Sequence, residues 1–87
     1  MSPLNKKKLN VVRKKLDKLD LKLLEVIKLR TNLVNEVIKL KQFKKDIVDK
    51  KRISVILKKI KKLSLRKGID PVITNRIWKN MIWSYID

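Results

Sequence analysis

The side chains best suited to chemistry in this sequence are cationic, and they lie along one predicted helix. Arg30 interrupts an apolar stripe, where a guanidinium removed from water needs an anion as its partner. Lys41 follows eleven residues later, about three helical turns, so the two side chains are expected on almost one face, roughly 16 Å apart along the axis. Such a pair could hold a small dianion. A structural ion pair of Arg30 with Asp20 or Glu36 is the alternative, and both interpretations stay open.

Arg13 lies on the flank of the same stripe, seventeen residues before Arg30. That spacing corresponds to roughly 25 Å along a helix, so Arg13 cannot share a site with Arg30 of its own chain. An antiparallel copy of the helix would place its N-terminal half beside the partner's middle. A two-fold dimer would then contain two such sites, each with residues from both chains.

The chain contains no Cys and no His. Disulfides, Cys/His metal sites, cysteine nucleophiles and histidine general bases are therefore excluded. A site made of Arg and Lys can bind anions and stabilise developing negative charge, but it is poorly equipped for nucleophilic or general-base catalysis. We expect a rearrangement or elimination that the substrate can perform by itself, with no metal and no cofactor.

A long first helix is predicted from about Leu4 to Phe43, with no Gly or Pro to interrupt it. Its apolar residues alternate spacings of three and four, which is a heptad pattern. The stripe consists of Leu9, Val12, Leu16, Leu19, Leu23, Val26, Leu33, Val37 and Leu40, with Arg30 in the gap. A helix of roughly 60 Å cannot bury this stripe against itself, so it needs other helices and, we expect, a second chain.

Two shorter helices are predicted to follow a connector at residues 44–48. Asp49 suits the N-cap of the second helix, and Gly68 suits the position just beyond its C-cap. Asp70-Pro71 predicts the N-cap and first residue of the third helix. The apolar face of the second helix is Ile53, Ile56, Leu57, Ile60 and Leu63. The stripe predicted for the third helix is Ile73, Ile77, Met81 and Tyr85, flanked by Trp78 and Ile82.

The chain of 87 residues is expected to form one all-α domain, residues 1–87, and its 44% hydrophobic content excludes disorder by low hydrophobicity. The 25 Lys+Arg against 8 Asp+Glu give a net charge of +17, which first suggests nucleic acid. Most of the basic residues are lysines, however, and the chain is rich in Ile and Asn and lacks Ala, as in genomes low in G+C. We interpret most of the charge as solvated surface that still concentrates anionic ligands.

Nothing in the sequence indicates a membrane or an export route. The longest apolar run is too short to span a bilayer. The N-terminal lysines precede no apolar segment of the kind found in secretory signals. We therefore expect a cytoplasmic protein without membrane contacts.

The run from Val12 to Leu24, VRKKLDKLDLKLL, resembles the opening of the long first helix in the all-helical chorismate mutases. The resemblance covers nearly the whole chain, from about Leu9 to Asp87, and rests on an ordered set of segments with matching spacings. The further segments are Leu29-Arg30, Val37-x-x-Leu40-Lys41, residues 48–52 and Gly68-Ile69-Asp70-Pro71.

The resemblance implies an intertwined helical dimer that converts chorismate to prephenate by a Claisen rearrangement, without a cofactor. It assigns Arg13 to a substrate carboxylate in the partner's site and Arg30 to a carboxylate in its own site. Lys41 would hydrogen-bond the ether oxygen, which gains negative charge as the C–O bond breaks. Asp49 and Arg52 would lie near the ring hydroxyl and the bound substrate.

The sequence departs from the mutase pattern at Ile53, where those enzymes usually have a Glu that helps to bind the ring hydroxyl. The related isochorismate-pyruvate lyases have an apolar residue there, and Tyr85-Ile86 is also similar to that family, so the lyase stays open as an alternative. The mutases place a Gln or Glu about four residues beyond the position of Tyr85, about two residues after Asp87. We expect the 87-residue form to fold and dimerise but to turn over chorismate slowly.

Two other classes of function remain as alternatives. A basic helical module could bind nucleic acid, although that needs a continuous basic face with exposed aromatic residues. Trp83 could be exposed, whereas Trp78 lies beside the third stripe and is expected to pack. A purely structural coiled coil would use Arg30 to set its register, but would leave the second and third helices without a purpose. An enzyme with a small dicarboxylate substrate is the preferred interpretation, and nucleic acid is not the expected partner.

Overall fold

The computed structural model describes residues 2–41 and 48–86. It contains three helices: α1 spans Pro3–Leu40, α2 spans Lys50–Arg66 and α3 spans Pro71–Ile86. The described residues contain no strand. The predicted all-α class, with one long and two shorter helices, is confirmed. The chain divides into two compact units, Met1–Val37 and Ile38–Asp87.

The ends of α1 differ slightly from the prediction. The helix begins at Pro3, where Ser2 caps it: its Oγ accepts a hydrogen bond from the Asn5 N–H at 3.2 Å. It ends at Leu40, and the Lys41 N–H donates to the Ile38 carbonyl at 3.2 Å, a tight three-residue spacing typical of a last turn. The predicted extension through Lys41 is therefore wrong. Phe43, the predicted last residue, and the connector positions 44–47 lie outside the described residues.

The apolar stripe of α1 is largely uncovered in the single chain. No residue of α1 is fully buried. Eight of the nine apolar stripe residues are each more than half exposed: Val12, Leu16, Leu19, Leu23, Val26, Leu33, Val37 and Leu40. A contiguous apolar surface of this extent is typical of an interaction face.

The predicted caps of α2 and α3 are present. The Asp49 carboxylate accepts a hydrogen bond from the Arg52 N–H at 2.9 Å, which confirms Asp49 as the N-cap of α2. Gly68 lies just past the C-cap Lys67 with a φ of 71°, as predicted. The Ile69 N–H donates to the Ser64 carbonyl at 2.9 Å, closing a Schellman motif. Asp70 caps α3, accepting from the Val72 N–H at 2.9 Å.

Helices α2 and α3 contact each other, and the four-residue link Lys67 to Asp70 makes them an antiparallel hairpin. The predicted apolar face of α2 is confirmed, since all five of its residues are half-buried. Two residues of the predicted α3 stripe, Ile73 and Ile77, do not pack in the hairpin and are exposed by 55% and 51% in the single chain. The inward line instead runs through Thr74, Trp78 and Ile82, with Met81 and Tyr85 beside it.

This displacement of the α3 face has a polar cause. Thr74 Oγ1 lies 2.7 Å from Ser64 Oγ in a buried hydrogen bond between the two helices. A buried hydroxyl needs such a partner. The pair therefore turns Thr74, and with it Trp78 and Ile82 one and two turns later, towards α2.

Candidate active site

The first turn of α2 brings together three of the predicted site residues. Asp49 precedes the helix, Arg52 lies in its first turn, and Ile53 follows directly. The Arg52 side chain is exposed, whereas Ile53 is half-buried on the face that packs in the hairpin. One carboxylate oxygen of Asp49 is occupied by the cap to the Arg52 N–H. The capping bond thus fixes the Asp49 carboxylate at the helix end where Arg52 also lies.

Tyr85 lies at the same end of the hairpin. The Ser64–Thr74 bond fixes the level of the two helices, and both Ile53 and Tyr85 lie eleven residues from it, one on each helix. Equal rises of roughly 16 Å along antiparallel helices bring Ile53 and Tyr85 to one level. Tyr85 is half-buried there. Asp49, Arg52, Ile53 and Tyr85 therefore all lie near the open end of the hairpin.

Arg13 and Arg30 both belong to α1 but are not brought together in one chain. Arg13 is exposed and Arg30 is half-buried. Continuous helix separates them, and their seventeen-residue spacing corresponds to roughly 25 Å, as the sequence predicts. Only another chain could supply an Arg13 to the site of Arg30.

Lys41 is the first residue after α1 and is half-buried. Because the helix ends at Leu40, helical spacing no longer fixes the direction of the Lys41 side chain. The prediction that Lys41 and Arg30 share a helical face therefore loses its basis, because Lys41 lies one residue beyond the end of α1.

Residues 12–87 match the family model for chorismate mutase type II. The chain belongs to this family. The match includes every one of the predicted site residues, which are Arg13, Arg30, Lys41, Asp49, Arg52, Ile53 and Tyr85. Comparisons with curated proteins and with solved structures gave no match.

In this member of the chorismate mutase type II family, the candidate site offers cations and hydrogen-bond donors. Within residues 2–41 and 48–86, no group of three or more His, Cys, Asp or Glu side chains could hold a metal ion. Across the same residues, none of the helices combines the length and hydrophobicity that a membrane span needs. Arg and Lys donors suit the binding of carboxylates and of oxygen atoms that gain negative charge.

The sequence-based interpretation missed the Ser64–Thr74 pair. Both residues are almost fully buried, with relative exposures of 4% and 8%. The sequence signal for the pair was Ser64, a polar residue on the apolar side of α2. In the structure its hydroxyl contacts the Ile60 carbonyl, four residues earlier, at 2.6 Å. The pair does not touch the candidate site, but it sets the level at which Ile53 and Tyr85 lie.

Proposed function

We propose that the chain is a chorismate mutase, converting chorismate to prephenate. The family match over residues 12–87 carries the proposal. The reaction is an isomerisation: the ether C–O bond breaks while a C–C bond forms, and no atom is gained or lost. It needs no base and no nucleophile, which agrees with a sequence that has no Cys and no His.

The proposed mechanism uses the cations of the site to bind a folded substrate and to stabilise charge. Arg30 and the partner's Arg13 would each bind one carboxylate. Lys41 would donate to the ether oxygen, which becomes most negative at the transition state. Arg52 and Asp49 would contact the bound substrate and its ring hydroxyl. Conformer selection with charge stabilisation need supply only about 8 kcal/mol, which is low for an enzyme.

The proposed assembly is a homodimer with two shared sites. Support comes from α1, whose apolar stripe is largely uncovered in the single chain. Burying a stripe of this kind against a second copy would stabilise both chains by about 25 cal/mol for each Å² removed from water. Sedimentation equilibrium should therefore show a dimer. A stable, folded and active monomer would exclude both the dimer and the shared site.

Loss of the chorismate diene absorbance on addition of purified protein tests the activity, and product analysis identifies prephenate. The protein is expected to form prephenate from chorismate and to release little pyruvate from isochorismate. No consumption of chorismate by folded protein would exclude the mutase.

The related isochorismate-pyruvate lyase activity is a second candidate, favoured by one observation. Ile53, at the position where the mutases usually have Glu, is half-buried in the hairpin, so this part of the site is apolar. Pyruvate release from isochorismate faster than prephenate formation from chorismate would favour the lyase.

A further inference from the structure

Positive charge is distributed unevenly between the helices. The 17 residues of α2 include eight Lys and Arg and no Asp or Glu. In α1, by contrast, eleven basic residues alternate with four acidic ones. A general excess of lysine would add positive charge to both helices. It does not explain why α2 has closely spaced basic residues and no acidic residue to neutralise them.

Four of these residues form a basic stripe, defined here as Lys51, Lys58, Lys62 and Arg66. Their spacings of seven and four place them on one side of the helix, opposite the half-buried face that packs in the hairpin. All four are exposed, and in the part of the chain that the structure describes none of them forms an ion pair. The stripe thus presents uncompensated charge to solvent.

The arrangement opposes helix stability. Lys58 with Lys62, and Lys62 with Arg66, are like-charged pairs four residues apart, which destabilise a helix. An anion near the stripe would relieve this repulsion. The apolar face of α2 packs in the hairpin, and on the side of the stripe only Val55 and Leu65 are exposed apolar residues, so the interactions that the stripe offers a small anion are mainly electrostatic.

The stripe shares its helix with Arg52 of the candidate site. Measured along the axis from Arg52, Lys58, Lys62 and Arg66 lie roughly 9, 15 and 21 Å away. At these distances the three side chains cannot contact a small ligand bound at Arg52. Their charges still act on such a ligand at low salt, where the Debye length is about 30 Å.

We infer that the basic stripe of α2 attracts the dianionic substrate to the Arg52 end of the helix and so strengthens substrate binding there without taking part in the reaction. The inference rests on the proposed function, because it takes a dicarboxylate as the ligand. Fields of this kind concentrate anions and accelerate association, and salt suppresses them.

The test compares chorismate kinetics of the wild type with a neutral triple variant, Lys58→Gln/Lys62→Gln/Arg66→Gln. The matched control is Lys58→Arg/Lys62→Arg/Arg66→Lys, which changes the side chains but keeps their charge. Coulomb interactions of two substrate charges, screened by salt, predict that the neutral variant loses about fivefold in kcat/KM at ~10 mM ionic strength. The loss should fall below about 1.5-fold at ~0.5 M salt, with kcat unchanged in both variants.

Three results would overturn the inference. They are an unchanged kcat/KM in the neutral variant at low salt, an equal loss in the charge-conserving variant, or a loss that persists at high salt. Duplex DNA bound by the wild type and released by the neutral variant, with chorismate kinetics unaffected, would assign the stripe to nucleic acid instead.

A failure of the proposed function would be distinct, because no variant would then consume chorismate at any salt concentration. Calorimetric titration with chorismate would still test the stripe in that case. A fivefold weaker affinity of the neutral variant at low salt supports the inference, and an absence of chorismate binding overturns it.

Discussion

Ser64 of α2 and Thr74 of α3 are joined by a buried hydrogen bond of 2.7 Å between their hydroxyl groups. Each hydroxyl also has a carbonyl acceptor in its own helix, Ile60 at 2.6 Å for Ser64 and Pro71 at 3.3 Å for Thr74, so either hydroxyl can be the donor in the bond between the helices. The bond fixes how far α2 and α3 are shifted along each other. That shift places Ile53 level with Tyr85 at the candidate site.

A double-mutant cycle tests this bond. Thr74→Val and Ser64→Ala should each lower the free energy of unfolding by about 1 kcal/mol, because each leaves a buried oxygen with one hydrogen bond fewer. The double variant should lose less than the sum, by about 0.5–1 kcal/mol. Chemical denaturation at one fixed protein concentration measures all four proteins. Strictly additive losses would show that the two hydroxyls are not coupled.

Asp49 has two assigned roles that can be separated by substitution. Asp49→Ser keeps an oxygen that can cap α2, so its stability should stay within a few tenths of a kcal/mol of the wild type, whereas Asp49→Ala should lose about 1 kcal/mol. If the carboxylate also binds the substrate, both variants should lose about tenfold in kcat/KM for chorismate. Full activity of the stable Asp49→Ser variant would leave Asp49 with its capping role alone.

Ile53 should influence the choice between chorismate and isochorismate. Ile53→Glu supplies an acceptor for the ring hydroxyl and should raise the preference for chorismate, measured as the ratio of kcat/KM values. Because Ile53 is half-buried, the added carboxylate should also cost about 1–3 kcal/mol of stability. Ile53→Leu, which stays apolar, serves as the control and should leave the ratio unchanged. An unchanged or lower ratio in folded Ile53→Glu would contradict the prediction.

Lys41 should affect kcat more than KM, because the ether oxygen is most negative at the transition state. Lys41→Ala should cost at least about 3 kcal/mol in activation free energy, roughly 10²-fold in kcat. Lys39→Ala, which removes an exposed lysine from the last turn of α1, is the matched control and should keep near-normal kinetics. Near-normal kcat in Lys41→Ala would exclude the proposed role.

The features that the sequence predicted correctly depend on local chemistry. Asp49, Gly68 and the Asp70-Pro71 pair each act on the backbone within a few residues of themselves, so their types and positions were sufficient. The C-terminal end of α1 was placed too late because neither Gly nor Pro marks a stop after Leu40.

The face of α3 could not be predicted from hydrophobicity alone. Ile73 and Ile77 are as apolar as Trp78 and Ile82, and the choice between the two lines depends on the hydroxyl pair with Ser64, a contact between helices. The same distinction applies to the candidate site. The proximity of Asp49 and Arg52 could be predicted from the sequence, because both lie within one turn at the start of α2. Arg13 and Arg30 are separated along α1, so the proposed site that combines them would need a second chain, which no periodicity in one chain determines.

Activity of a mixed dimer tests the shared site most directly. Arg13→Ala and Arg30→Ala should each be nearly inactive alone, since each homodimer lacks the same carboxylate partner in both sites. Refolding the two variants together should produce mixed dimers in which one site carries both changes and the other carries neither. We predict that verified mixed dimers recover chorismate turnover, approaching half the wild-type rate, whereas verified mixed dimers without activity would contradict the shared site.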